Sequence, residues 1–106
     1  MDEKNTTRID KWLWSVRIYK TRLLATEACS GGKVKINGLS VKASRKIQSG
    51  NQIQVRKGVV RYEYEVLQIA DKRMSAKMVP NHLNDITPEK ELSKLKVAKT
   101  ILNQKR

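Results

Sequence analysis

The stretch that decides the fold is TRIDKWLWSVRIYKTRLLATEACSGG at residues 7–32, followed at once by KVKINGLSVK at 33–42. Thr7-Arg8-Ile9-Asp10 reads as a helix start, with the Thr7 hydroxyl placed to cap and Asp10, at the third helical position, placed to return a bond to the cap amide. From there Ile9, Trp12, Leu13 and Val16 fall at i, i+3, i+4 and i+7, the spacing that lines one buried face of a helix running to about Tyr19. Lys11, Trp14, Ser15 and Ile18 lie on the opposite face. Thr21 offers a second cap. Leu24, Ala25, Ala28 and Cys29 then make a narrow face that lets a second helix lie close against the first, and Gly31-Gly32 stops it with a left-handed cap.

The period then changes from helix to strand. Lys33-Val34-Lys35-Ile36 alternates charged and apolar residues, Asn37-Gly38 is the preferred dipeptide of a two-residue hairpin turn, and Leu39 to Lys42 returns as a short strand. Ser49-Gly50-Asn51 marks a turn before a strand over Gln52 to Arg56. After Lys57-Gly58, Val60, Tyr62, Tyr64 and Val66 alternate with Arg61, Glu63 and Glu65 as a longer one. These strands predict a small, twisted, mainly antiparallel sheet. Beyond Ala70 the pattern weakens: Asp71-Lys72-Arg73 is turn-like, Met74 to Val79 has no clear period, and Pro80-Asn81 breaks the chain. Thr87-Pro88-Glu89 is a helix start, and Leu92, Leu95, Ala98 and Leu102 predict a peripheral C-terminal helix with a wide lysine-rich polar face. The expected class is therefore α+β. A flexible N-terminus (1–7) precedes one domain (8–70), and a C-terminal extension (71–106) carries a helix.

The chain has 106 residues, 23 Lys+Arg and 10 Asp+Glu, for a formal charge of +13 and a computed pI near 10.2. A chain of this size buries roughly two-thirds of its unfolded surface, enough for one modest core. Its 39% hydrophobic content is too high for a disordered basic tail. The charge is concentrated: from Arg8 to Arg61 there are 13 Lys+Arg and two acids, Asp10 and Glu27, so this half carries +11 of the +13. A merely solvated surface would intersperse acids. Their absence points to a polyanionic partner.

Other classes have few parts to work with. One cysteine, Cys29, and one histidine, His82, provide neither a disulfide nor a four-ligand zinc site, and no nucleophile–base pair can be argued away from His82. No enzyme activity, metal or cofactor is expected. No apolar run is long enough to span a bilayer, and Met-Asp-Glu-Lys-Asn at the start lacks a signal peptide's apolar stretch, so a cytoplasmic protein is expected.

The binding residues follow from the helix starts. Arg8, Lys11, Arg17, Lys20 and Arg22 bracket the two of them. Lys20 and Arg22 flank Thr21, where backbone amides and the positive helix end favour a phosphate, and a guanidinium fork grips a phosphodiester bidentately. Lys33, Lys35, Lys42, Arg45 and Lys46 continue the stripe along the hairpin and the loop after it, positioning nucleic acid more than reading its sequence. Trp14 has two readings: an exposed indole that stacks on nucleic acid, or one covered by the C-terminal segment.

The run Arg8-Ile9-Asp10-Lys11-Trp12-Leu13-Trp14, then Lys20-Thr21-Arg22, then Gly32-Lys33-Val34-Lys35-Ile36-Asn37-Gly38, with Val41-Lys42-Ala43-Ser44 and Ser49-Gly50-Asn51, closely resembles the RNA-binding domain named after small-subunit ribosomal protein four, the alpha-L motif. The whole chain is similar to the fifteen-kilodalton heat-shock family of stand-alone ribosome-associated factors. The resemblance implies two packed N-terminal helices against a short antiparallel sheet, with RNA held by the helix pair and the hairpin. It implies that Arg8 and Arg22 contact RNA, that Lys11, Arg17 and Lys20 share their surface, that Asn37 belongs to the binding hairpin, and that Asp10 holds the helix start and an arginine in place. The partners it implies are ribosomal RNA on the large subunit and transfer RNA bearing a nascent chain. DNA binding is expected only as a non-specific activity, and a monomer is expected. Two departures stand out: Asn51 where the family often has Asp, and a C-terminal extension shorter and less basic than in some relatives. The alternatives are the RNA-binding accessory part of a modification system such as pseudouridylation, for which the chain has no room for a catalytic domain, and a membrane-surface protein, for which only the C-terminal helix qualifies.

Overall fold

The computed structural model describes residues 5–104, with side chains as far as residue 97. The chain runs β1 (Thr7–Arg8), α1 (Ile9–Ser15), α2 (Arg22–Ser30), β2 (Val34–Ile36), β3 (Leu39–Ser40), β4 (Lys46–Ile47), β5 (Gln52–Lys57), β6 (Val60–Val66), a 3-10 helix (Ala76–Asn81), β7 (Leu83–Asp85) and α3 (Glu89–Gln104). Strands β3-β2-β5-β6-β7 make one antiparallel sheet, and β1 pairs with β4 in a second, two-stranded one. This is the expected α+β architecture.

Alternation decides which face is covered. Val34, Ile36, Ile53, Val55, Val60, Tyr64 and Val66 are buried with Tyr62 packed against them, and Lys35, Gln54, Arg61, Glu63 and Glu65 alternate with them on the other face. Ile9, Trp12, Leu13 and Val16 of the first helical segment, with Ala25, Ala28 and Cys29 of α2, complete that core. Tyr62 and Tyr64 stack with ring centroids 6.0 Å apart, and the buried Trp12 indole donates its Nε1–H to the Gln68 carbonyl at 2.9 Å, so the largest core side chain leaves no orphaned donor. Leu24, expected on the buried face, is instead exposed, and Ser15, expected on the open face, is buried. The Ser15 hydroxyl bonds the Lys11 carbonyl at 2.8 Å, and its own carbonyl accepts from the Met74 amide at 3.1 Å.

Both helix pairs of caps differ in an instructive way. At the end of α2, Gly32 takes φ +75°, its amide donates to Cys29 O and the Lys33 amide to Ala28 O, the paired bonds of a left-handed C-terminal cap. The end of α1 uses the same pair, with Arg17 N–H to Trp14 O and Ile18 N–H to Leu13 O, but with Arg17 at φ +66° where glycine is usual. This is why α1 stops at Ser15 and not near Tyr19. A left-handed arginine costs about 1–2 kcal/mol, offset here by the Arg17 Nη1 bond to the Met74 carbonyl at 3.2 Å. The expected Thr7–Asp10 capping box does not form: Thr7 is buried in β1 opposite Ile47, Arg8 takes the cap position, and the first amides of α1 are met by the carbonyls of Arg45 and Ala43.

The C-terminal third is tied to the domain ahead of it. Strand β7 adds the sheet's last edge against β6, and Pro80, expected to break the chain, lies inside the 3-10 helix. Helix α3 begins just after Pro88. It is anchored where the Glu91 carboxylate accepts the Arg61 amide at 2.9 Å and where the Thr87 hydroxyl accepts the Glu63 amide at 3.0 Å. Leu92 and Leu95 remain largely exposed, which fits a peripheral helix; the side chains of Ala98 and Leu102 lie outside the described residues. Since Leu13 is fully buried at the meeting of helices and sheet, Leu13→Ala is expected to lower stability by about 2–5 kcal/mol, read from the midpoint of urea unfolding.

Candidate nucleic-acid interface

The centre of the basic surface is an acid. The Asp10 side chain is 2% exposed and sits on the first turn of α1 facing α2. Its Oδ1 accepts the Lys11 amide at 2.7 Å and Arg8 Nε at 3.1 Å, while its Oδ2 accepts Arg8 Nη2 and the Thr26 hydroxyl, each at 3.0 Å. Arg22 Nη2 stands 3.5 Å from Oδ1. Burial pushes this carboxyl up, but the Arg8 and Thr26 hydrogen bonds, the Arg8 charge and the Lys11 amide pull it down further, and it lies below its ordinary value. It stays ionised at neutral pH and holds two guanidinium groups from two different helix starts against one another.

Neither arginine is consumed by this contact. Their side chains are 48% and 45% exposed, and a guanidinium carries five donors, so each presents unused N–H groups to solvent beside a fixed anchor. The β1–β4 ladder places Lys46 directly opposite Arg8 and Arg45 next to it, and Lys42 stands in the exposed turn that closes onto Arg45 N–H at 2.9 Å. Residues nearly forty positions apart in sequence are thus neighbours. Lys11 is 3.7 Å from Asp71, a long pair with an exposed acid, worth at most about 1 kcal/mol.

The loop from Arg17 to Thr21 is held by its carbonyls. Lys57 Nζ donates to Ile18 O at 2.6 Å and sits 4.9 Å over the Tyr19 ring, and Arg73 Nη1 donates to Tyr19 O at 3.2 Å and Lys20 O at 2.8 Å. Thr21 caps α2 by accepting the Leu24 amide at 3.1 Å, so its hydroxyl oxygen is committed within the chain. The Lys20 side chain is exposed beside it, and Arg17 is turned to the Met74 carbonyl. Trp14 is half-buried and stands outside the core cluster.

Lys33, Lys35 and Asn37 belong to a different end of the molecule. Asn37 (φ +53°) and Gly38 (φ +78°) form the hairpin turn, whose Gly38 amide is held by Gln54 Oε1 at 3.2 Å. Lys33 follows α2, a full helix length of about 13 Å from Arg22 at 1.5 Å per residue. The expected stripe is therefore divided into a group around Asp10 and a group at the hairpin. Sequence reasoning missed Thr26, Lys57 and Arg73, which position the site over 16 to 54 residues of separation; nothing in the local pattern marks them. The buried Cys29 thiol is pushed up to about 11 by burial and then by the Asp10 charge, so it is protonated at neutral pH. Among the described residues no helix is long and apolar enough to cross a membrane, and no three His, Cys, Asp or Glu side chains gather as a metal site.

The two helix starts locked to one carboxylate and the hairpin behind them all lie within residues 7–53, the stretch that matches the family model of the S4 domain class. Within that class the chain belongs to the heat shock protein 15 family of S4-type RNA-binding proteins. It is 45% identical over 69 residues to the heat shock protein 15 homolog of Aeromonas salmonicida, an alignment covering 65% of this chain and 52% of that one. It is 45% identical over 64 residues to the RQC P-site tRNA stabilizing factor of Helicobacter pylori, covering 58% of this chain and 74% of that one. The structure is similar to the trimeric structure of Vibrio cholerae heat shock protein 15, with a TM-score of 0.75 and 33% identity, covering 95% of this chain and 99% of that one. The chain spans about half the length of the Aeromonas relative.

The depressed Asp10 carboxyl makes stability depend on pH in one direction. A folded-state value below the unfolded one, about 3.9, means that the stabilisation is complete above the unfolded value and is lost as pH falls through the folded one. Asp10→Asn should lower stability by about 1–3 kcal/mol at neutral pH and flatten the acid limb of the urea-midpoint curve below the unfolded carboxyl value of about 3.9.

Proposed function

We propose that this chain is a non-catalytic, cytoplasmic RNA-binding factor that holds ribosomal RNA on the large subunit and recognises subunits left carrying nascent-chain transfer RNA when translation stalls or aborts. The observation that carries this reading is the pair of half-exposed arginines fixed by Asp10. A guanidinium already immobilised by a buried carboxylate loses little side-chain entropy on gripping a phosphate, and its remaining N–H groups are arranged as a fork. Arg45 and Lys46, brought to Arg8 by the β1–β4 pairing, extend the grip along a backbone. Relatives named for heat shock and for stabilising P-site transfer RNA in ribosome quality control support the ribosomal setting. The chain acts as a monomer in this reading, although the Vibrio cholerae relative is described as trimeric.

Contacts to phosphates without base readout predict affinity that depends on salt more than on sequence. With six phosphates bound, the log–log salt slope on single-stranded RNA is expected near −4, at roughly −0.7 per phosphate. Arg8→Ala and Arg22→Ala should each weaken binding to unrelated RNAs alike. Gradient sedimentation of tagged protein in cell lysate should place it with free large subunits and away from translating ribosomes. Wild-type subunit binding by both arginine variants at low salt would defeat the site assignment, and co-migration with translating ribosomes alone would defeat the stalled-subunit reading.

A further inference from the structure

The five-stranded sheet has a second face, turned away from α1 and α2, and one end of it is strongly cationic. Lys35 on β2, Arg56 on β5 and Arg61 on β6 alternate with the buried Val34, Ile36, Val55 and Val60, so they point outward. Arg56 and Arg61 stand directly opposite each other in the β5–β6 register. The Arg56 amide donates to the Lys33 carbonyl at 2.8 Å, which brings Lys33 to the same end. Together with Gly32 and Gln54 these four cations line one small groove. None of the four side chains makes an ion pair or hydrogen bond with another described residue. Glu63, the next outward residue of β6, stands opposite Gln54 and pairs with neither arginine.

A like-charged pair directly opposite across two strands is unfavourable. Two arginines and two lysines line one groove, and the one acid beside them, Glu91 at the Arg61 amide, is bound to Lys94, so cations outnumber acids there and an anion between the forks relieves their repulsion. The groove is lined by glycine and by polar side chains, with no large apolar residue among them. Lys33 and Arg56 also line the edge of a cavity of about 350 Å³ beside α2, whose other charged residues are Glu27 and the Lys57 already bonded to Ile18 O, so the unpaired cations are those of the groove. This charge fits a sugar-phosphate strand.

We propose that Arg56 and Arg61, with Lys33 and Lys35, bind the backbone of a second RNA segment on the outer sheet face, so that the chain grips RNA on two sides. This rests on the RNA-binding reading above. The two faces are separated by the thickness of the sheet and its core, and a factor built in this way clasps two strands of a folded RNA.

The test is fluorescence anisotropy with a fluorescein-labelled oligouridylate across a salt series, for wild type, Arg56→Gln/Arg61→Gln, Arg8→Ala/Arg22→Ala and the combined variant. Both sheet arginines are exposed, and relief of their repulsion should leave the urea-unfolding midpoint of Arg56→Gln/Arg61→Gln equal to or above wild type. The expected result is a salt slope shallower by about 0.7 to 1.4, for one or two phosphates lost, with the same decrement when the change is made on the Arg8→Ala/Arg22→Ala background. An unchanged slope overturns the proposal, as does a decrement that vanishes on that background. A labelled oligoglutamate that binds wild type and not the sheet variant, with the RNA slope unchanged, would assign the groove to an acidic protein instead. If wild type shows no salt-dependent binding of the oligouridylate, the RNA reading itself falls; if only the sheet variant is silent, that reading stands and the second face does not.

Discussion

Asp10 is the charge around which the N-terminal half is arranged. An ionised carboxylate removed from water costs several kcal/mol unless its lone pairs are filled, and here they are filled from four directions: the Arg8 fork, the Lys11 amide, the Thr26 hydroxyl and Arg22. Because the donors come from β1, α1 and α2, satisfying one side chain also sets how the two helices meet. The arginines are held at the surface by the same bonds that keep the carboxylate ionised, so positioning of the two guanidinium groups and stability of the helix pair are one interaction.

A second constraint acts through the backbone between the helices. Ending α1 on a left-handed arginine turns the chain sharply enough to start α2 five residues after Arg17, and it leaves the carbonyls of Ile18, Tyr19 and Lys20 outside both helices. Lys57 and Arg73 supply donors to all three. These cations are spent on the fold, which shows why counting basic residues overstates a binding surface. The segment after residue 70 is likewise part of the support: Met74 closes on Ser15 and Arg17, and β7 completes the sheet.

The fold also redistributes charge. Along the chain the cations from Arg8 to Arg61 form a single block, but in space the helix starts and the β4 region gather one group, while strand alternation throws another to the far side of the sheet. Acids collect elsewhere: Glu65 and Asn84 pair across β6 and β7, and Glu91 serves α3. At the basic end of the outer face the nearby carboxylate is Glu91, which is shared between the Arg61 amide and Lys94, so the cations there keep an excess of positive charge.

Local pattern alone determined the elements whose signals are local. The i, i+3, i+4, i+7 stripe of Ile9, Trp12, Leu13 and Val16, the Thr21 cap, the Gly31-Gly32 stop, the Asn37-Gly38 turn and the alternation from Val60 to Val66 each depend on neighbours within a few residues, and all are present as read. The role of Asp10 as a holder of arginine was legible too, through the resemblance and not the spacing; spacing alone assigned it to a capping box with Thr7. What tertiary structure decided is whatever required a distant partner. Thr7 is drawn into β1 by Ile47, α1 is cut short by a left-handed arginine braced from Met74, Pro80 is accommodated in a 3-10 helix, and the basic stripe is split by the fold of the sheet. Hydrogen bonds made across 54 to 57 residues leave no period in the sequence, because period records only which face a residue turns, and not what waits there to meet it.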